Sequence, residues 1–385
     1  MLQNSHNTKV RYNQENIALD LSKKMVFLSG PRQAGKTTLA KNLSKHWAQI
    51  TYLNYDSSKD RRIIIDETWD RKSDLIIFDE IAKYKKWKNK IKGIYDTEDN
   101  RPRLLITGSA RLNILRKGGD SLVGRYFHHR LYPFSMKEVA SSEKEKVEAL
   151  SAMMKFGSFP EPFLGQNEDD ANRWRNEYLA QVLTQDVVTM EDVKDLSAME
   201  LLVDRLRRSV GSTISYNSIA RDLEISPKTV KRYVDILERM YLIFRVTPYH
   251  RNIARAILKE PKVYFFDLGL VEGNPGARYE NLIALHLLKH LHFLEDTKGC
   301  KTALHYIRDK QGHEVDFYYE TDRKGDKPML IEVKFADQPI PRNLLYFQTH
   351  LKLNATQVTY KATRALQHGS IRSTTATDFL SQLAC

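Results

Sequence analysis

Residues 25–38 read Met25-Val26-Phe27-Leu28-Ser29-Gly30-Pro31-Arg32-Gln33-Ala34-Gly35-Lys36-Thr37-Thr38, and this stretch decides the fold. Five residues suited to a buried strand run into Gly30-Pro31-Arg32-Gln33-Ala34-Gly35-Lys36-Thr37, which fits G-x-x-x-x-G-K-[ST] at every fixed position. The pattern then continues as a helix from Lys36 to about Trp47. In that strand–loop–helix context the glycines let backbone N–H groups turn inward on phosphate oxygens, and the helix N-terminus adds positive potential. Gly30 to Thr38 are therefore the expected phosphate-binding residues. Lys36 supplies a cation to the β and γ phosphates, and Thr37 a hydroxyl to Mg²⁺. A purely structural glycine turn needs neither Lys36 nor Thr37.

Outward from the loop, apolar runs MVFLS, ITYLNY, LIIFD and RLLITG alternate with helical stretches between Met25 and about Tyr132. This is the signature of a parallel sheet in an α/β fold. The run Leu75 to Phe78 ends in Asp79-Glu80, at the strand end where ligand crevices open in such sheets. Asp79 is the second expected Mg²⁺ ligand, and Glu80 the general base that orients the attacking water. A third strand ends in Thr107-Gly108-Ser109, where Thr107 or Ser109 is placed to sense a γ-phosphate or simply to make a turn. Arg125 follows the glycine-flanked segment 118–124. It reads either as an arginine reaching a transferring phosphate, in its own chain or in a neighbouring subunit, or as a surface side chain. No Asn-Lys-x-Asp base-reading motif follows, which favours ATP over GTP.

The chain of 385 residues is 41% hydrophobic, too apolar for a disordered polymer, and lacks an apolar run near the roughly 20 residues needed to cross a bilayer. The polar start MLQNSHNTKV offers no signal-peptide core, and two cysteines, Cys300 and Cys385, imply no disulfide framework; a cytoplasmic setting is expected. With 61 Lys and Arg against 48 Asp and Glu the formal net charge is +13. From Arg205 to Lys259 there are twelve Lys or Arg and four acids, +8 in 55 residues, so the basicity is local. Six lysines between Lys83 and Lys92 suit an ordinary solvated helix.

Within the basic stretch, Ile219, Leu223, Val230, Val234, Ile236 and Leu237 are spaced for two helices on one core, separated by Ile225-Ser226-Pro227. Ser226 suits an N-cap and Pro227 a first helical residue. The apolar run Tyr241 to Val246 then supplies a wing, completing a winged helix. Lys228, Thr229, Lys231, Arg232 and Tyr233, on the N-terminal half of the second helix, are the expected DNA contacts, although such domains also serve as protein-binding modules.

Near the C-terminus, His313 to Tyr319 and Met329 to Phe335 alternate as two strands around a turn-rich loop. With the hairpin centred on Lys324, facing residue numbers sum to 648. Asp316 then lies opposite Glu332, with Lys334 on the same face. Two carboxylates beside a lysine suit a second Mg²⁺ or Mn²⁺ and hydrolysis of a phosphodiester, and Glu280 is placed to complete the shell. A slip of one residue breaks this arrangement, and a hairpin with one polar face is the alternative. His286 and His290, one helical turn apart without a third ligand, read as a solvated helix face.

Taken together, GPRQAGKTT (30–38), LIIFDE (75–80), ITGSA (106–110), SLVGR (121–125), YFFDLGL (264–270), HEVDF (313–317) and IEVK (331–334) resemble a bacterial and archaeal family of AAA+-superfamily ATPases. The resemblance covers about residues 17–340. It implies a P-loop ATPase core joined to a C-terminal region of unknown function, in which a winged helix precedes a restriction-endonuclease-like fold. The last two motifs resemble the PD-(D/E)xK nuclease signature, whose acid, acid and lysine fall on Asp316, Glu332 and Lys334; no proline precedes Asp316.

The expected organisation is a P-loop ATPase domain at 1–135, a helical lid at 136–196, a winged helix at 197–260 and a nuclease-like α/β domain at 261–385. The expected function is Mg²⁺-dependent ATP hydrolysis coupled to action on DNA, without a membrane, as a homo-oligomer or with a partner protein. The alternative is a nucleotide-switched scaffold whose nuclease-like fold only binds.

Overall fold

A computed structural model describes residues 9–97, 103–109, 122–187, 193, 195–249, 260–360, 362 and 366–385. The expectations on Gly118, Gly119 and Ser121, and the charges of Arg251, Arg255 and Lys259, lie outside the described residues. Two compact units meet along the chain, one ending at Tyr132 and the other beginning at Pro133.

The first unit is a five-stranded parallel sheet of β1 (Met25–Ser29), β2 (Ile50–Asn54), β3 (Leu75–Asp79), β4 (Arg103–Gly108) and β5 (Tyr126–Arg130), in the order β2-β3-β4-β1-β5. Its central strands are apolar at successive positions because both faces are covered. Phe27, Ile76, Phe78, Leu104 and Ile106 pack on one face with Trp87, Ile91 and Ile94 of the helix Trp87–Thr97. Val26, Leu28, Leu75, Ile77 and Leu105 pack on the other with Leu39 and Ala40 of the helix Lys36–Asn42 and with Ile17 and Leu21 of the helix Gln14–Leu21. The phosphate-loop helix is shorter than expected, giving way to a 3₁₀ turn at Leu43–Lys45.

The second unit opens with helices at Met136–Val139, Glu143–Phe156, Pro160–Gly165 and Glu168–Gln181, in the block expected to be helical. Gly157 breaks it at φ 87°. Two helices follow in the basic stretch, Tyr216–Asp222 and Pro227–Arg239. Ser226 caps the second, its Oγ accepting the Thr229 N–H at 3.0 Å, with Pro227 in the first turn, as the sequence implied. Val230, Val234, Ile236 and Leu237 are buried.

An eight-stranded mixed sheet completes this unit: β6 (Ile243–Pro248), β7 (Lys262–Phe265), β8 (Thr302–Arg308), β9 (Glu314–Thr321), β10 (Met329–Lys334), β11 (Asn354–Thr359), β12 (Leu366–His368) and β13 (Ile371–Thr375). Its order is β12-β13-β11-β10-β9-β8-β6-β7. β6 pairs antiparallel with β7 and parallel with β8. The boundary expected at 260/261 is therefore corrected, because it falls between two paired strands that share one sheet with the rest of the C-terminal region. β9 and β10 pair Met329 with Tyr319, Leu330 with Tyr318 and Ile331 with Phe317, each pair summing to 648, the register the alternation implied. The long helix Pro275–Lys298 packs on β7, β8 and β10. Its His286 is buried, with Nδ1 against the Leu282 carbonyl and Nε2 accepting the Met136 N–H at 3.2 Å. His290 Nδ1 accepts the Ala384 N–H at 3.0 Å. The solvated-face expectation for this pair is thus corrected: both rings cap backbone amides, and burial holds both imidazoles down at about 4.

Candidate active site

The phosphate loop leaves β1 at Ser29 and enters its helix at Lys36 through three residues with positive φ: Gly30 (152°), Gln33 (57°) and Gly35 (95°). A Cβ on Gly30 would lie 2.1 Å from the Leu131 carbonyl oxygen, so the loop's first position admits only glycine. Pro31 and Ala34 are buried, Arg32 is half-buried, and Gln33 and Thr38 are exposed. The Lys36 side chain folds back into the loop, its Nζ donating to the carbonyls of Gly30 (2.9 Å) and Pro31 (2.7 Å). Arg11 braces the loop, its guanidinium donating at 2.5 Å to the carbonyls of both Ala34 and Tyr132.

The parallel register brings Asp79, the last residue of β3, beside Asn54 and Thr107. Asp79 accepts three hydroxyls: Thr37 at 3.0 Å and Tyr52 at 2.5 Å on Oδ2, and Thr107 on Oδ1. Thr37 and Asp79, expected to share Mg²⁺, are thus joined directly. A carboxylate and a hydroxyl, both oxygen donors, fit a hard divalent cation. Tyr52 and Arg11 were not singled out from the sequence. Tyr52 sits on an adjacent strand whose order no local pattern reveals, and Arg11 lies outside any motif.

Glu80 follows at φ 55°, its backbone N–H bonded to the Thr107 carbonyl at 3.0 Å. Burial pushes its carboxyl above the usual range, against the pull of Lys36 and Lys83, which brings it nearer to exchanging a proton at neutral pH. Ser109 Oγ stands 3.5 Å from Glu80 Oε2. Arg125 is different. It precedes β5, its carbonyl accepting the Met25 N–H at the start of β1, whereas the phosphate loop follows the other end of that strand. Five strand residues span about 16 Å. Its guanidinium makes a two-pronged pair with Asp96, at 2.8 and 3.1 Å. The expectation that Arg125 reaches the phosphate of its own chain is therefore corrected.

In the second unit, Lys228, Lys231 and Arg232 are exposed along the first turns of the helix Pro227–Arg239. Tyr233 is buried, 3% exposed, with its hydroxyl on the Asp195 carbonyl at 3.3 Å, so its expected contact role is corrected. Thr229 is engaged in the Ser226 cap.

The structure gathers Glu280, Asp316, Glu332 and Lys334, and adds Glu314 and Lys262. Lys262, on β7 and 1% exposed, lies 2.7 Å from Glu314 Oε1, 3.4 Å from Glu280 Oε1 and 3.7 Å from Asp316 Oδ1. Lys334 pairs with Glu332 Oε1 at 2.7 Å, the Tyr264 hydroxyl donates to Glu280 Oε1 at 2.7 Å, and Asp316 Oδ2 accepts the Val333 N–H at 2.9 Å. Burial disfavours the Lys262 ammonium, but Glu280, Asp316 and Glu314 outweigh it and raise its pKa above the usual lysine value. Burial and then the Asp316 charge push Glu280 and Glu332 up to about 7. The buried Oε2 of Glu332 makes no hydrogen bond. An ammonium thus stands against Glu280 and Asp316, two of the carboxylates expected to hold a second metal. A sequence signal for Lys262 existed: one lysine heading the otherwise apolar run KVYFF.

Comparison with known proteins bears on both units. Residues 22–140 match the family described as an AAA domain, and residues 147–274 and 275–378 match two families described as domains of unknown function. An uncharacterized protein of Mycobacterium tuberculosis is 27% identical over 249 residues, covering 64% of this chain and 55% of that protein. An uncharacterized protein of Methanocaldococcus jannaschii is 26% identical over 298 residues, covering 69% of this chain and 66% of that protein. The chain thus spans about half the length of the mycobacterial relative. Among solved structures, the Walker-type ATPase of Pyrococcus abyssi aligns with a TM-score of 0.39 at 15% identity, over 69% of this chain and 94% of that one. The AAA match, the parallel sheet and the phosphate loop make the first unit a P-loop domain of the ATPase type. No helix among the described residues is long and apolar enough to cross a membrane.

Proposed function

We propose that the chain is a Mg²⁺-dependent ATPase that acts on DNA through its second unit. The observation that carries the ATPase reading is the joining of Thr37 to Asp79, 3.0 Å apart, beside Lys36 and the partly buried Glu80. Bound Mg²⁺, held by Thr37 and Asp79, would supply charge neutralisation at the β and γ phosphates. The chain's own residues do the rest. Lys36 exchanges its two loop carbonyls for phosphate oxygens. Glu80 takes a proton from the attacking water, and the Ser109 hydroxyl steadies Glu80. Thr107 keeps Asp79 in place.

The test is ATP turnover together with nucleotide binding. Lys36→Ala abolishes binding, whereas Glu80→Gln retains binding and loses turnover by about 100-fold or more. Equal turnover in Glu80→Gln would overturn the assigned base.

The DNA reading rests on the two-helix element at 216–239 followed by the β6–β7 pair, an order that suits a winged helix, and on the exposure of Lys228, Lys231 and Arg232. Lys231→Glu with Arg232→Glu should weaken DNA binding and flatten its salt dependence. Stimulation of ATP turnover by DNA, lost in the same variant, would link the two units. The order of strands around Asp316, Glu332 and Lys334 suits the nuclease-like fold that the motifs imply, used here as a binding surface.

A further inference from the structure

We infer that Lys262 is the resident cation of the C-terminal carboxylate cluster, held by Glu280 and Asp316, two of the three carboxylates that a nuclease of this outline would turn on its divalent metal, so that this unit binds no metal there and cleaves no phosphodiester bond.

The argument is one of occupancy. The three carboxylates nearest Lys262 come from two separate elements, Glu280 from the long helix and Glu314 and Asp316 from β9, and all three point an oxygen at one Nζ. A hard divalent cation asks for the same convergence of carboxylate oxygens from several directions. Three further oxygens of the cluster are also engaged. Asp316 Oδ2 is held by the Val333 N–H, Glu314 Oε2 faces Arg308 at 3.7 Å, and Glu332 Oε1 is taken by Lys334. Lys262 cannot easily leave. Its stem is buried on β7, its Nζ lies 5.6 Å over the Tyr306 ring, and its backbone is paired with Val246 of β6 and bridged to Thr213.

This inference does not rest on the ATPase reading, and its test uses no nucleotide. Mn²⁺ binding to the full chain is followed by electron paramagnetic resonance in the wild type, Asp316→Asn, Lys262→Met and the double variant. Asp316→Asn should leave wild-type Mn²⁺ binding unchanged, and plasmid DNA should stay un-nicked with Mg²⁺ or Mn²⁺. Lys262→Met should gain a Mn²⁺ site at least about tenfold tighter than any in the wild type, and Asp316→Asn should remove that gain. Wild-type Mn²⁺ binding or nicking that disappears in Asp316→Asn would overturn the inference, because the metal would then displace the ammonium. So would a folded Lys262→Met without added affinity. Should Lys262→Met fail to fold, the comparison of wild type with Asp316→Asn still decides.

Discussion

Two acidic sites in this chain have the same ingredients, carboxylates at strand ends beside a lysine, and the chain treats them in opposite ways. At the end of β3 Lys36 donates to two backbone carbonyls and its charge pulls on Glu80, while Asp79 is surrounded by the neutral hydroxyls of Thr37, Tyr52 and Thr107. Hydroxyls orient a carboxylate without cancelling its charge, so the site keeps its attraction for a hard cation. At the start of β9 and the end of β10 the lysines are turned inward, and Lys262 and Lys334 neutralise what they touch. The difference lies in the partners: neutral hydroxyls leave the Asp79 charge in place, whereas ammonium groups offset those of the second cluster.

The strongest way to break this comparison is to remove the charge at each site. Asp79→Asn should lower Mg²⁺-dependent ATP turnover by about 100-fold, with nucleotide binding in EDTA retained. Removing the lysine at the second site acts on stability instead. Lys262→Met leaves buried carboxylates without their counter-ion and should cost about 3–5 kcal/mol in chemical denaturation. A cost below about 1 kcal/mol would mean that the cluster is solvated and the ion contacts are incidental.

A finer test concerns the hydroxyl shell. Tyr52→Phe deletes one donor to Asp79 and should shift the Mg²⁺ concentration for half-maximal nucleotide binding by about fivefold, with affinity in EDTA unchanged. An equal loss with and without Mg²⁺ would reduce Tyr52 to packing.

The smallest effect is in pH dependence. Glu280 and Glu332, raised from 4.5 to about 7 in the folded state, contribute stability that is present below pH 4.5 and lost as pH rises through 7. His286 and His290, lowered from 6.5 to about 4, act in the opposite sense, contributing stability above pH 6.5 that is lost as pH falls towards 4. The two pairs oppose each other across the same window. His286→Gln should therefore make stability fall more steeply as pH rises from 4.5 to 6.5, read as the midpoint of thermal unfolding at pH 5 and pH 6.5.

Much of the first unit was legible because its chemistry is local. The phosphate loop is one continuous motif, and the apolar run before Asp79 marks a strand buried on both faces. The 648 register was also legible, since a short loop and strict alternation leave few pairings for β9 and β10. What could not be read depends on distant segments. Tyr52 meets Asp79 across 27 residues and Arg11 meets Tyr132 across 121. Lys262 finds Asp316 across an intervening helix and strand. Of the readings open for Arg125, reach to its own phosphate loop fails for another reason: the strand Tyr126–Arg130 begins immediately after it, which fixes it at the wrong end of the sheet.

The contacts of Lys262, like the pairing of β6 with β8, also bear on how such a chain can be inherited. Lys262 lies in the stretch matched at 147–274, whereas Glu280, Glu314 and Asp316 lie in the one matched at 275–378. A recombination event that exchanged the second stretch alone would deliver the acids to a host without their base. An ion cluster assembled from both stretches ties the stability of each to the other.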